Sequence, residues 1–184
     1  FAGMMLADQG AEVIKIEPPG IGDLARFMGT IKDGMGAMFS TLNRNKKCIC
    51  LDFKNEEDLS VLMQLVSTAD VLIENYRPGI VKKLGIDYET LKKIKPDLIY
   101  CSISGYGQSG PYKEKKVYDP LIQGTVGIPH AQNSEFPELI RTIIYDKVSG
   151  LTSAQAISAA LYQKANGEGG QYLPVSMMES ALYY

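Results

Sequence analysis

The chain is 184 residues long, with 45 % hydrophobic residues, a mean hydropathy of −0.07 and a formal net charge of −2. That is enough for one domain with a proper core, without the composition of a disordered segment. The balance of charge offers no overall attraction to nucleic acid or to a membrane surface, no apolar run approaches membrane-spanning length, and an anionic ligand must be held by a local basic cluster.

Residues 1–9 carry a helical pattern closed by Gly10, and the β-branched run Ala11–Glu17 follows as a buried parallel strand. The chain thus begins inside a helical pattern with neither an initiator Met nor a cap, and Met177–Tyr184 ends inside another. A piece of a longer protein is expected, with material missing at both ends. Pro18-Pro-Gly20 turns the chain out of the strand and leaves Arg26 just beyond its carboxyl end, where open α/β sheets gather ligands. The Gly- and Met-rich stretch to Gly36 reads as loop and short helix.

A strand at Cys48–Phe53 passes through Lys54 into a helix running to about Ser67, with Leu59, Leu62, Met63 and Val66 on one face. A strand at Asp70–Asn75 turns through Tyr76-Arg-Pro-Gly79 into short helices at Ile80–Leu84 and Tyr88–Ile94, and Pro96 precedes a fourth strand at Asp97–Ser104. This alternation predicts an α/β fold, a Rossmann-like parallel sheet with helices on both faces. Cys48, Cys50 and Cys101 all fall in runs that read as buried strands, which predicts reduced thiols of a cytoplasmic protein and no disulfide frame. Strand alternation is taken to part Cys48 from Cys50, and no metal site is expected.

Gly105-Tyr-Gly-Gln-Ser-Gly110 has the glycine spacing of the dinucleotide fingerprint. Pro111 and the polar run Tyr112–Lys116 follow it, where the fingerprint requires a helix, so a tight backbone-rich loop is predicted and nicotinamide or flavin is not. Pro120 at a first helical position starts a helix at Leu121–Val126, and Gly127–Leu139 reads as a polar loop holding a surface His130. The run Ile143–Tyr145 then meets Asp146 and passes into a long helix rich in Gly, Ala and Ser, closed by Gly167-Glu-Gly-Gly170. Ser149 offers a second local acceptor at its start. Two readings of Asp146 stand side by side: an N-cap, and a carboxylate nucleophile held on a rigid element.

Several stretches together resemble the family III CoA-transferases, the group of formyl-CoA transferase and carnitine CoA-transferase, related to α-methylacyl-CoA racemase. They are Leu6–Glu17, Gly22–Arg26, Leu42–Lys47, Asp70–Gly79, Tyr100–Tyr112, Tyr118–Gln123 and Gly167–Gln171, in the family's order along the whole chain. The resemblance implies that Asp146 is the nucleophile, attacking an acyl-CoA thioester to give an aspartyl anhydride and then an aspartyl-CoA thioester, from which CoA passes to a carboxylic acid. It places the coenzyme A nucleotide on Arg26, Leu51, Lys54, Asn75, Tyr76, Lys83, Leu84 and Lys116, with Tyr118 and Asp119 lining the acyl side. Lys83 stands where formyl-CoA transferase has arginine, a point charge in place of a fork of donors. The racemase branch carries a His-Asp pair where this chain has Tyr118-Asp119, which favours CoA transfer over 2-methylacyl-CoA epimerisation, since a tyrosine is a poor proton-transfer base near neutral pH. The resemblance further implies a partial large domain over residues 1–184, lacking an N-terminal strand and a C-terminal half with a smaller domain. In the full-length parent it implies an interlocked homodimer. A non-catalytic CoA-binding fragment is the remaining alternative.

Overall fold

The computed structural model describes residues 1–183. The chain forms two compact units, one from Phe1 to Ser67 and one from Thr68 onward.

In the first unit, helix α1 (Ala2–Asp8) buries Ala2, Met4, Leu6 and Ala7, and Gly10 at φ 100° turns the chain into β1 (Val13–Glu17). β1 pairs in parallel with β4 (Lys46–Cys50), from Val13 opposite Lys46 to Glu17 opposite Cys50. Between them lie a 3-10 turn at Leu24–Phe27, the antiparallel ribbon β2 (Ile31–Lys32) and β3 (Met35–Gly36), and α2 (Ala37–Leu42). The stretch to Gly36 is therefore more than the loop and short helix expected of it. Asp33 and Gly34, at φ 50° and 77°, form the two-residue Asp-Gly turn that closes right-twisted hairpins. Gly36 is obligatory, because a Cβ there would stand 2.6 Å from the Met28 carbonyl. Helix α3 (Glu56–Thr68) follows, its first turn capped by Asn55 Oδ1, which accepts from Glu57 N at 2.8 Å.

The cysteine expectations are corrected in part. Cys48 and Cys50 are exposed, and only Cys101 is buried. Residues two apart on a strand share a face, so Cys48 and Cys50 are not parted by alternation. Among the described residues no group of three or more His, Cys, Asp or Glu is placed to hold a metal ion.

The second unit is built on three parallel strands in the order β5 (Val71–Glu74), β6 (Ile99–Ser104), β7 (Gln171–Ser176). β6 is central and almost wholly buried. Helices cover both faces, as the alternation predicts. On one face lies α8 (Ile144–Ala165), which buries Ser149, Gly150, Ser153, Ala154, Ile157 and Ala160. That three-and-four spacing of small residues lets its backbone approach the strands closely. Cys101 meets Ser153 across this contact, and burial pushes its thiol up to about 11, an unreactive group. On the other face Tyr100 meets Tyr88 of α5 (Tyr88–Leu91) edge-on at 6.0 Å and lies beside Tyr172 of β7 at 5.9 Å. The glycine-rich loop after β6 opens no helix until α6 (Asp119–Thr125), which agrees with its reading as a loop. The segment read as a polar loop after it instead holds α7 (Ile128–Gln132), entered through Pro129, with His130 exposed. Helix α4 (Ile80–Lys83) follows β5, and α9 (Met177–Tyr183) packs against α8. Among the described residues no helix is long and apolar enough to cross a membrane.

Candidate active site

Asp146 lies in the first turn of α8, solvent-exposed, while Tyr145 beside it is 2 % exposed. Tyr145 packs with Ile122, Met177 and Ala181 in a core cluster, which fixes where the helix begins. Asp146 is not the cap of this helix. That role belongs to Asp119, whose Oδ2 accepts from the backbone N–H of Tyr145 at 2.5 Å and of Asp146 at 3.0 Å. Two of the amides that a helix start leaves unpaired are thus satisfied by a carboxylate from another helix. Ser149 likewise is no cap: its Oγ donates back to the Tyr145 carbonyl at 2.6 Å.

Asp119 is only 2 % exposed, and its other oxygen accepts from Gln123 Nε2 at 2.5 Å. Gln123, one turn on, accepts from Ile140 N at 2.8 Å and donates to the Thr142 carbonyl at 3.1 Å. Helix α6 therefore fixes both the segment entering α8 and its first turn. Tyr118, by contrast, is 77 % exposed. With the Asp146 amide tied down, its side chain is left at the surface of a rigid helix end. Although the residue reaches solvent, partial burial of the Asp146 carboxyl raises it above the ordinary range, and the neighbouring charge of Asp119 adds to the rise. A more basic carboxylate is a stronger nucleophile wherever it is ionised.

The nucleotide candidates fall in both units. In the first, Lys54 is exposed in the turn between β4 and α3, and Leu51 is buried at the end of β4. Arg26 is differently placed from a waiting cation. Its Nε and Nη2 donate to Glu17 at 2.8 and 2.9 Å, and its guanidinium lies 3.8 Å over the Phe39 ring. The guanidinium holds the buried Glu17 carboxyl down at about 2. A carboxyl depressed in this way stabilises the fold fully above the ordinary glutamate range, and that contribution is lost as pH falls toward about 2. Arg26→Ala leaves Glu17 buried without its partner and is expected to cost about 2 kcal/mol in chemical denaturation, whereas Lys54→Ala should stay within about 0.5 kcal/mol.

In the second unit Asn75 and Tyr76 are exposed just past the carboxyl end of β5. Lys83 and Leu84 end α4, and Lys116 is exposed in the loop after β6. Sequence reasoning singled out neither Glu17, Gln123 nor Glu74. Gln123 left one signal, a polar residue four after Asp119 on a short helix.

Residues 1–184 match the family described as CoA-transferase family III over the whole chain. The chain belongs to this family. Among curated family III relatives, an acetyl-CoA:oxalate CoA-transferase of Acetobacter aceti is 39 % identical over 100 % of this chain and 48 % of its own length. A succinyl-CoA:glutarate CoA-transferase of Homo sapiens is 37 % identical over 98 % of this chain and 42 % of its own. The crystal structure of a CAIB/BAIF family protein from Brucella suis superposes with a TM-score of 0.93 at 40 % identity, covering 99 % of this chain and 50 % of that one. The chain spans about half the length of the family III relatives it matches.

Proposed function

We propose that the chain carries the CoA-binding residues and the nucleophile of an enzyme that moves CoA from an acyl-CoA to a carboxylic acid. The single observation that supports this most is Asp146: exposed, raised in basicity, and fixed at a helix start whose amides are already taken by Asp119.

In the proposed sequence the Asp146 carboxylate attacks the thioester carbonyl, the C–S bond breaks, and CoA leaves as thiolate from a mixed anhydride. The thiolate then attacks the aspartyl carbonyl, releasing the first acid and leaving an aspartyl-CoA thioester. An incoming carboxylate attacks the aspartyl thioester carbonyl and expels CoA thiolate to give a second mixed anhydride. The thiolate then attacks the acceptor's acyl carbonyl, forming the new acyl-CoA and releasing the Asp146 carboxylate. Each covalent step keeps the energy of the thioester in an activated acyl group. Fixed placement of Asp146 supplies the effective concentration that a weak carboxylate nucleophile needs. The oxalate and glutarate in the relatives' names make dicarboxylates the first acceptors to try.

For the nucleotide, Tyr76 offers a ring face to adenine, and Lys54, Lys83 and Lys116 suit the phosphates, each exposed. Calorimetric titration of the chain with CoA, dephospho-CoA and a Lys54→Ala variant tests this. Loss of one cation–phosphate contact is expected to weaken CoA binding about tenfold. Equal affinity of wild type and Lys54→Ala for CoA would remove Lys54 from the site.

A further inference from the structure

Behind the Asn75–Tyr76 turn, on the face of the three-stranded sheet that meets α5, lies a cleft of about 190 Å³. Glu74, the last residue of β5, is 8 % exposed at its edge. Its Oε2 accepts from the backbone N–H of Tyr76 at 2.7 Å. Ser102, its register partner on β6, hydrogen-bonds the same carboxyl and accepts from Gln108 Nε2 at 2.8 Å. A continuous chain of bonds therefore runs from Gln108 through Ser102 and Glu74 to Tyr76. It joins the two loops that leave the carboxyl ends of adjacent strands.

A buried acid needs a reason. Among the described residues that line the cleft there is no Lys, Arg or His to offset Glu74. The titratable groups facing it are Tyr88, Asp87 and Glu89 from the α5 region, Tyr100 from β6 and Tyr172 from β7, with Tyr76 on its own loop. Burial accordingly raises the Glu74 carboxyl, opposed by the bonds from Ser102 and the Tyr76 amide. A neutral amide or an apolar residue would suit such a place better if packing were all that mattered.

We propose that Glu74 is a positioning residue that fixes the Asn75–Tyr76 backbone for the nucleotide of CoA and ties it, through Ser102 and Gln108, to the glycine-rich loop at Gly105–Gly110. This rests on the reading of Tyr76 as part of the CoA site. Tyr76 is 42 % exposed, and the bond from its amide to Glu74 fixes the backbone of the turn. The bond to Glu74 holds the peptide, and the exposed part of the ring remains open to a ligand.

The test pairs nuclear magnetic resonance of the 184-residue chain with CoA titration. The Tyr76 amide proton is expected to move with pH in the wild type, with a midpoint above the ordinary glutamate value, and to stay still in Glu74→Gln. Glu74→Gln keeps an acceptor oxygen and should hold CoA affinity within about twofold. Glu74→Ala should weaken it about tenfold, and Gln108→Ala by about threefold. A Tyr76 amide that titrates alike in wild type and Glu74→Gln, or unchanged CoA affinity in a folded Glu74→Ala, overturns the proposal. A wild-type chain that binds no CoA would instead overturn the nucleotide reading, and the amide titration, which needs no ligand, would still decide whether Glu74 holds the turn.

Discussion

Asp119→Ala is expected to lose about 3 kcal/mol of stability, the largest effect of any single truncation near the site. Three bonds end on this carboxylate, from Tyr145 N, Asp146 N and Gln123 Nε2. Removing a helix cap alone costs about 1 kcal/mol, and leaving a buried amide without a partner adds about 1–3 kcal/mol. The Tyr145 amide is the one left buried, since its residue is 2 % exposed. Asp119→Asn keeps one acceptor oxygen and should retain roughly half of that stability. It also removes the negative charge that helps raise Asp146, so the Asp146 carboxyl should titrate lower than in the wild type. Chemical denaturation of both variants, with the Asp146 carboxyl followed by carbon resonance, separates the two effects. Equal stability of wild type and Asp119→Ala would mean that the α8 start does not depend on the cap.

Asp146→Asn carries the largest expected effect on chemistry and the opposite effect on stability. The amide cannot form the proposed anhydride, so transfer should fall by at least about a thousandfold, as for removal of a covalent nucleophile. The sign of the stability change follows from the raised carboxyl. A group held above its unfolded value disfavours the folded state once it is ionised, so the cost is absent at low pH, where folded and unfolded chains both hold the proton. It appears as pH rises through the unfolded and then the folded value. Asp146→Asn should therefore be more stable than the wild type at neutral pH, with the difference shrinking as the solution is acidified. A variant less stable at neutral pH would show that Asp146 is a structural group.

Much of the fold was legible because its signals are local. The β-branched run at Val13–Glu17, the apolar stripe of α3 and the small-residue stripe of α8 each follow from the period of one element. The hairpin at Ile31–Gly36 carried a readable sign in Asp33-Gly34, yet its strands are two residues long and have no periodicity of their own. The exposure of Cys48 and Cys50 was not legible, because a strand's pattern does not say which of its faces is covered.

The site divides the same way. Asp146 could be picked out by its place before the long helix and by the family resemblance. Its partner could not: Asp119 reaches it from 27 residues away in sequence, and no spacing rule links a cap donated by another helix. The N-cap reading of Asp146 was reasonable chemistry assigned to the wrong carboxylate. Arg26 shows the converse limit. A cation beyond a strand end was visible, but its commitment to Glu17, nine residues earlier, depends on the fold of the turn between them.

The most direct measurement is trapping of the acyl adduct. The chain is mixed with acetyl-CoA, quenched with hydroxylamine, digested and analysed by mass spectrometry, with Asp146→Asn in parallel. Either an aspartyl anhydride or an aspartyl-CoA thioester would be converted to a hydroxamate at that residue. The proposed function predicts label on the peptide bearing Asp146 and none in the variant. Binding of acetyl-CoA without label on Asp146, or equal label in Asp146→Asn, would contradict it.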